Sequence, residues 1–190
     1  MINRVAAECG EPWLAHYGGK ISSEWFFPKA LQILREAPAV YARADRLIEA
    51  ADWIVWQLTG VETRSSCTAG YKAMWSKADG FPSGDYFAAL DPGFAQIVDE
   101  KMSRDVLPLG SRAGVIDERA AGWTGLQAGT PVAVANVDAH ASAPAVRVTE
   151  SGTFVMIMGT NMRDILLGDR PATRPGTREP GFSRRVIPPV

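Results

Sequence analysis

The sequence predicts an α/β chain. Apolar residues recur at helical spacing through two segments of the first half. Short β-branched and apolar runs bounded by glycine gather after residue 113. Hydrophobic residues make up 46% and charged residues 22% of the 190, the balance of a globular chain with a packed core.

The elements follow in order. In "SSEWFFPKALQILREAP", Pro28 suits a first helical turn, where a missing N–H costs nothing. Phe27, Leu31 and Leu34 then share a face, and Pro38 ends the helix. In "DRLIEAADWIVWQLTG", Leu47, Ala51, Ile54, Val55 and Leu58 form an apolar stripe, and Gly60 stands at the C′ position. "RSSCTAGYKAMWSKADGFPSGD" reads as a short helical turn or a loop, and residues 84–105 as short helical pieces. "TPVAVANV" reads as a buried strand, "DAHASAPAVRV" as a small-residue helix, and "GTFVMIMGTNMRDILL" as two strands joined at "GTN". Residues 170–190 are rich in Arg and Pro without apolar periodicity, and composition predicts disorder there.

Several function classes are excluded. A net charge of −1 gives no electrostatic basis for binding nucleic acid or an anionic membrane. No apolar run approaches the roughly 20 residues a membrane span needs. The opening "MINRVAAECG" lacks the apolar region of a secretory signal. Cys9 and Cys67 match no metal spacing and no disulfide framework, so a reduced, cytoplasmic setting is expected and no metal-ligating set is identified. Oligomeric state is left open, homo-oligomers included.

Four places carry candidate chemistry. Asp138 follows a strand and opens a helix, the place where open α/β sheets present ligand-binding side chains. A plain helix N-cap explains the same residue, and spacing alone favours that explanation. Gly159 in "MGTN" permits close backbone approach, and its neighbouring N–H groups with the Thr160 hydroxyl suit phosphate oxygens. A tight turn explains the same glycine. Lys72, between Tyr71 and Met74–Trp75, suits a hydroxylated ligand against an aromatic wall, although a solvated lysine on a helix explains it more simply. His140 neighbours Asp138, and Trp25 in "SEWFFPK" suits a cleft wall.

Taken in order, "FPKALQILREAP", "DRLIEAADWIVWQLTG", "GLQAGTPVAVANVDAHASA" and "GTFVMIMGTN" resemble the FGGY carbohydrate kinases. "SSEWFFPKALQILREAP", "AGYKAMWSK" and "NVDAHASAPAVRVTESGT" look most like the ribulokinase branch, and the resemblance covers about residues 2–169. It implies a ribonuclease H-like (actin-like ATPase) fold of two domains with sugar and ATP between them. Residues 1–148 would belong to the first domain, 149–169 would open the second, and 170–190 would be a tail. It implies Asp138 as catalytic base and sugar contact, Lys72 as sugar contact, Gly159, Thr160 and Asn161 at the nucleotide, and Mg2+ across the phosphates. The implied reaction phosphorylates L-ribulose at its 5-hydroxyl in arabinose catabolism.

The sequence departs from the family pattern in two ways. It begins after the expected D-x-G-T-like phosphate loop, and its text after Asp169 does not resemble the family's continuation. The expectation is therefore a partial kinase that does not turn over alone. The alternatives are a non-catalytic remnant with weak sugar binding and a related, xylulokinase-like pentulose kinase.

Overall fold

A computed structural model describes residues 1–147, 151–158, 163–167 and 185–187. In chain order the helices are α1 (Ile2–Glu8), α2 (Trp13–His16), α3 (Phe26–Glu36), α4 (Pro38–Arg43), α5 (Ala50–Thr59), α6 (Ser66–Lys72), α7 (Gly84–Leu90), α8 (Ile97–Lys101), α9 (Glu118–Thr124) and α10 (Asp138–Ala145). A 3₁₀ turn at Pro92–Phe94 follows α7. The strands are β1 (Arg64–Ser65), β2 (Val106–Leu107), β3 (Arg112–Val115), β4 (Pro131–Ala133), β5 (Phe154–Ile157), β6 (Arg163–Leu167) and β7 (Arg185–Ile187). The chain divides into two compact units, Met1–Glu11 with Ser22–Asn136, and Pro12–Ile21 with Val137–Val190.

The first unit has two packed cores. One is aromatic. Phe27 of α3 meets Phe87 of α7 at 4.6 Å between ring centroids, and Phe87 meets Phe94 edge-on at 5.4 Å. Such offset and edge contacts add to the hydrophobic gain of burying three large rings. Arg35, near the end of α3, donates to the Leu90 carbonyl at 2.6 Å and ties the helix to the end of α7. The second core joins α5 to the β3–β4 ribbon through Val55, Ala113 and Val134. Gly114 lets that ribbon come close, because a Cβ there would stand 2.9 Å from the Thr59 Cβ.

A buried carboxylate connects α5 to β1 and α6. Asp52 is 2% exposed. Its Oδ1 accepts the Ser65 N–H at 3.1 Å and its Oδ2 accepts the Thr68 hydroxyl at 2.7 Å. Ser65 is the N-cap of α6, and its hydroxyl accepts the Cys67 N–H. The stretch "SSCTAGYK", left between helical turn and loop by its sequence, is a helix because both its cap and this anchor fix the first turn. Burial pushes the Asp52 carboxyl above its ordinary range, opposed by the two hydrogen bonds and by Arg64.

Three sequence expectations change. Pro38 ends α3 and also starts α4, because its fixed φ suits a first turn. The stripe on α5 is turned: Leu47 precedes the helix, Ile54 is exposed, and the buried face is Asp52, Val55 and Thr59. The buried face carries the anchor from Asp52 to Ser65 and Thr68. "TPVAVANV" supplies only three strand residues, with exposed Pro131 and Ala133, because β4 pairs with β3 alone in a two-stranded ribbon. Gly60 does cap α5 in the left-handed conformation (φ 70°).

In the second unit β5 and β6 form an antiparallel hairpin, with Phe154 opposite Leu166. β6 also pairs in parallel with β7, and α10 packs on β5 and β6. β7 places three residues of the Arg/Pro-rich stretch in a strand, while the remainder of 170–190 lies outside the described residues.

Asp52→Ala removes the acceptor for the buried Ser65 N–H and the Thr68 hydroxyl. Urea denaturation at neutral pH should show a loss of about 2–3 kcal/mol. Thr68→Val, which removes one hydroxyl, should cost about 1 kcal/mol.

Candidate functional site

The sheets and helix ends of the first unit bring one charged cluster onto an open cavity. α6 closes abruptly after Lys72: Ala73 caps it, Met74 takes a left-handed φ of 49°, and the Trp75 N–H bonds back to the Ala69 carbonyl. Lys72 thus sits at a helix C-terminus, where the backbone dipole favours a cation.

The facing wall is the segment before α5, and it is pinned at three points. The Leu47 N–H donates to the Lys101 carbonyl at 2.8 Å, and Lys101 Nζ donates to the Ala44 carbonyl at 2.7 Å. Buried Arg64 donates to the Leu47 carbonyl at 2.7 Å and to Glu62 at 3.3 Å. The segment ends at Glu49, the N-cap residue of α5, whose side chain makes no capping bond.

Between these walls lies a cavity of about 230 Å³. Its polar lining is Glu24, Lys29, Glu49 and Lys72, and its apolar lining is Trp25 and Phe26 at the start of α3, with Ala30, Ile33, Leu47 and Ile48. Trp25 is backed by the Tyr71 ring at 5.9 Å. Glu24 and Lys29 pair with each other at 3.8 Å near solvent. Burial raises the Glu49 carboxyl above its ordinary range, Lys72 pulls it back down, and Asp52 adds a smaller upward push. Two lysines and two glutamates leave the lining neutral overall. Donors, acceptors and an aromatic wall suit an uncharged polyhydroxylated molecule.

Another cavity of this unit, about 370 Å³, is lined by Trp53, Ile54, Gln57 and Trp123. Its polar groups are an amide and two indole N–H donors, so it offers no group for acid–base work. Among the described residues no cluster of three or more His, Cys, Asp or Glu could hold a metal ion, and no helix is long and apolar enough to cross a membrane.

The sequence-derived candidates fall as follows. Lys72 and Trp25 line the smaller cavity together. The expected wall changes: Tyr71 is buried behind Trp25, and Trp75 is not part of the lining. Asp138 belongs to the second unit, as the first residue of α10. Val137 is the N-cap without a capping side chain, Asp138 is the acid of the first turn, and residues 134–137 separate it from β4. Its side chain is exposed, with Oδ1 accepting the Ala139 N–H at 2.7 Å. Its carbonyl accepts the Ser142 hydroxyl at 3.0 Å. His140 stands half-buried on the same helix. Gly159, Thr160 and Asn161 lie outside the described residues. Sequence reasoning missed Glu49, Glu24 and Lys29. Glu49 precedes a helix like any N-terminal acid, and nothing in the spacing links it to Lys72.

No protein-family model matches the chain. Curated relatives do. A ribulokinase from Bacillus licheniformis is 53% identical over 175 residues, 92% of this chain and 32% of the relative. A ribulokinase from Geobacillus thermodenitrificans is 50% identical over 168 residues. The chain therefore spans about a third of the length of the curated relatives it matches. Among solved structures, the xylulose kinase from Rhodospirillum rubrum superposes with a TM-score of 0.68 at 25% identity, covering 85% of this chain and 32% of that one. A second sugar kinase structure, from Brucella ovis, gives a TM-score of 0.63 at 19% identity and supports the fold alone.

The Lys72 charge acts on the Glu49 carboxyl and lowers it against the effect of burial. Lys72→Met removes the charge that holds the Glu49 carboxyl down, so carboxylate-detected NMR should show the Glu49 midpoint move up. The linkage has a definite sign. A carboxyl raised on folding stabilises the fold below its unfolded pKa, and that contribution is lost as pH rises through the folded value. The variant should therefore lose stability more steeply than the native chain as pH rises above the ordinary carboxylate range.

Proposed function

We propose that the chain is part of an FGGY carbohydrate kinase, as its likeness to ribulokinases supports, and that its smaller cavity receives a ketopentose, L-ribulose, for phosphorylation by ATP. The observation that carries this reading is the lining of the cavity: a lysine and a glutamate among aromatic and aliphatic walls, neutral in sum and sized for one small polyol. In this reading Lys72 donates to sugar oxygens, and Trp25 covers an apolar face of the ligand.

Asp138 is the proposed base. Its exposed carboxylate accepts the proton of the sugar's 5-hydroxyl as that oxygen bonds to the γ-phosphorus and the bond to the departing ADP oxygen breaks. Gly159, Thr160 and Asn161 are assigned to the nucleotide's phosphates by family pattern alone. Mg2+ bound through those phosphates would neutralise developing charge, and it needs no all-protein cage. Residues 1–148 are assigned to the first kinase domain and 149–169 to the start of the second, with the cytoplasm as the setting. The branch resemblance favours L-ribulose over D-xylulose, a choice that rests on a few contacts.

Titration calorimetry of L-ribulose into the 190-residue chain tests the reading. Saturable heat is expected, with Lys72→Met weakening binding by about tenfold or more. Asp138→Asn should abolish detectable phosphoryl transfer in any enzyme built on this sequence, because the base is gone. Tighter binding of D-xylulose would move the assignment to that sugar, and absence of heat for either at millimolar concentration would contradict it.

A further inference from the structure

We propose that Glu49 is a specificity-determining residue of this cavity, accepting hydrogen bonds from the hydroxyls of a neutral polyol and rejecting its anionic analogues. The inference rests on the sugar-site reading above and adds a residue to it.

Glu49 and Lys72 come from different elements, the N-cap of α5 and the last turn of α6, and line the same cavity. Both are half-buried. Among the described residues neither side chain has a hydrogen bond, nor an ion pair within 4.0 Å. The other charges of the lining differ in this respect, since Glu24 and Lys29 are paired with each other. Asp52, the acid nearest in sequence, is committed to Ser65 and Thr68, and Arg64 to Leu47 and Glu62. Two opposite charges that line one cavity, form no ion pair within 4.0 Å and make no hydrogen bond are a donor and an acceptor left for a ligand.

The chemistry that satisfies both ends is specific. An ammonium group donates only, so it meets a carbonyl or hydroxyl oxygen. A carboxylate accepts only, so it requires a hydroxyl hydrogen. A polyol with adjacent hydroxyl and carbonyl groups offers both. An aldonate of the same length places a carboxylate in the same space, where the negative Glu49 repels it in a half-buried site of low effective dielectric. A cavity meant for an acidic sugar would carry unbalanced lysines, and this one does not.

The side chain of Glu49 caps nothing, so Glu49→Gln keeps shape and volume and should fold as the native chain does, checked by its thermal midpoint. Calorimetric titration of L-ribulose and of L-arabinonate into the native chain, Glu49→Gln and Lys72→Met separates the outcomes. The inference expects the native chain to bind L-ribulose and not L-arabinonate. It expects Glu49→Gln to weaken L-ribulose by about tenfold and to acquire measurable affinity for L-arabinonate. Native binding should strengthen as pH rises through the raised Glu49 titration, and in Glu49→Gln that dependence should vanish. Lys72, Lys29, Glu24, Asp52 and Arg64 remain in the variant, so pH dependence that survives belongs to them and overturns the assignment. Unchanged L-ribulose affinity in Glu49→Gln, beside weakened binding in Lys72→Met, overturns the role of Glu49 and leaves the sugar site standing. No L-ribulose binding by the native chain overturns both.

Discussion

The carboxylate of Asp52 is the constraint on which the arrangement of the first unit depends. It sits in the first turn of α5 and holds the Ser65 N–H and the Thr68 hydroxyl, so the start of α6 cannot move independently of α5. Glu49 lies just before that turn of α5, and Lys72 ends α6. The two side chains meet the same cavity because one buried anion fixes the two helices that carry them. A buried charge is costly, and burial accordingly raises the Asp52 carboxyl. Its hydrogen bonds and the nearby Arg64 guanidinium offset that cost. An aliphatic residue would pack more cheaply and would leave the register of α6 unspecified.

The same logic explains which parts of the fold were legible in the sequence. α3, α5 with its Gly60 cap, and the β5–β6 hairpin follow from local signals: proline position, glycine conformation, and two apolar runs joined at "GTN". The orientation of α5 was not legible. Its buried face includes Asp52 and Thr59, which any hydrophobic periodicity assigns to solvent. The strand at Val132 was overread for a related reason. An apolar run states that residues avoid water, and β4 meets that need partly through Val134 in the loop beyond its end.

The candidate site divides in the same way. Lys72 and Trp25 were visible as a charged and an aromatic residue in suggestive company, and the fold places them on one cavity. Asp138 was visible at a helix start, and its position as the first helical residue leaves the cap to Val137. Glu49 was invisible, since an acid before a helix is ordinary and its meaning comes from a lysine brought near by tertiary structure. Long-range electrostatics of this kind leaves no periodic trace in a sequence.

The account's central claim is that the cavity between α3, α5 and α6 receives the sugar. The indole N–H resonances of the chain report on it directly, because Trp25 lines that cavity while Trp53 and Trp123 line the other. On titration with L-ribulose, a saturable shift of the Trp25 indole with Trp53 and Trp123 unmoved is the predicted result. A shift confined to Trp53 and Trp123, or no shift at saturating sugar, would contradict it.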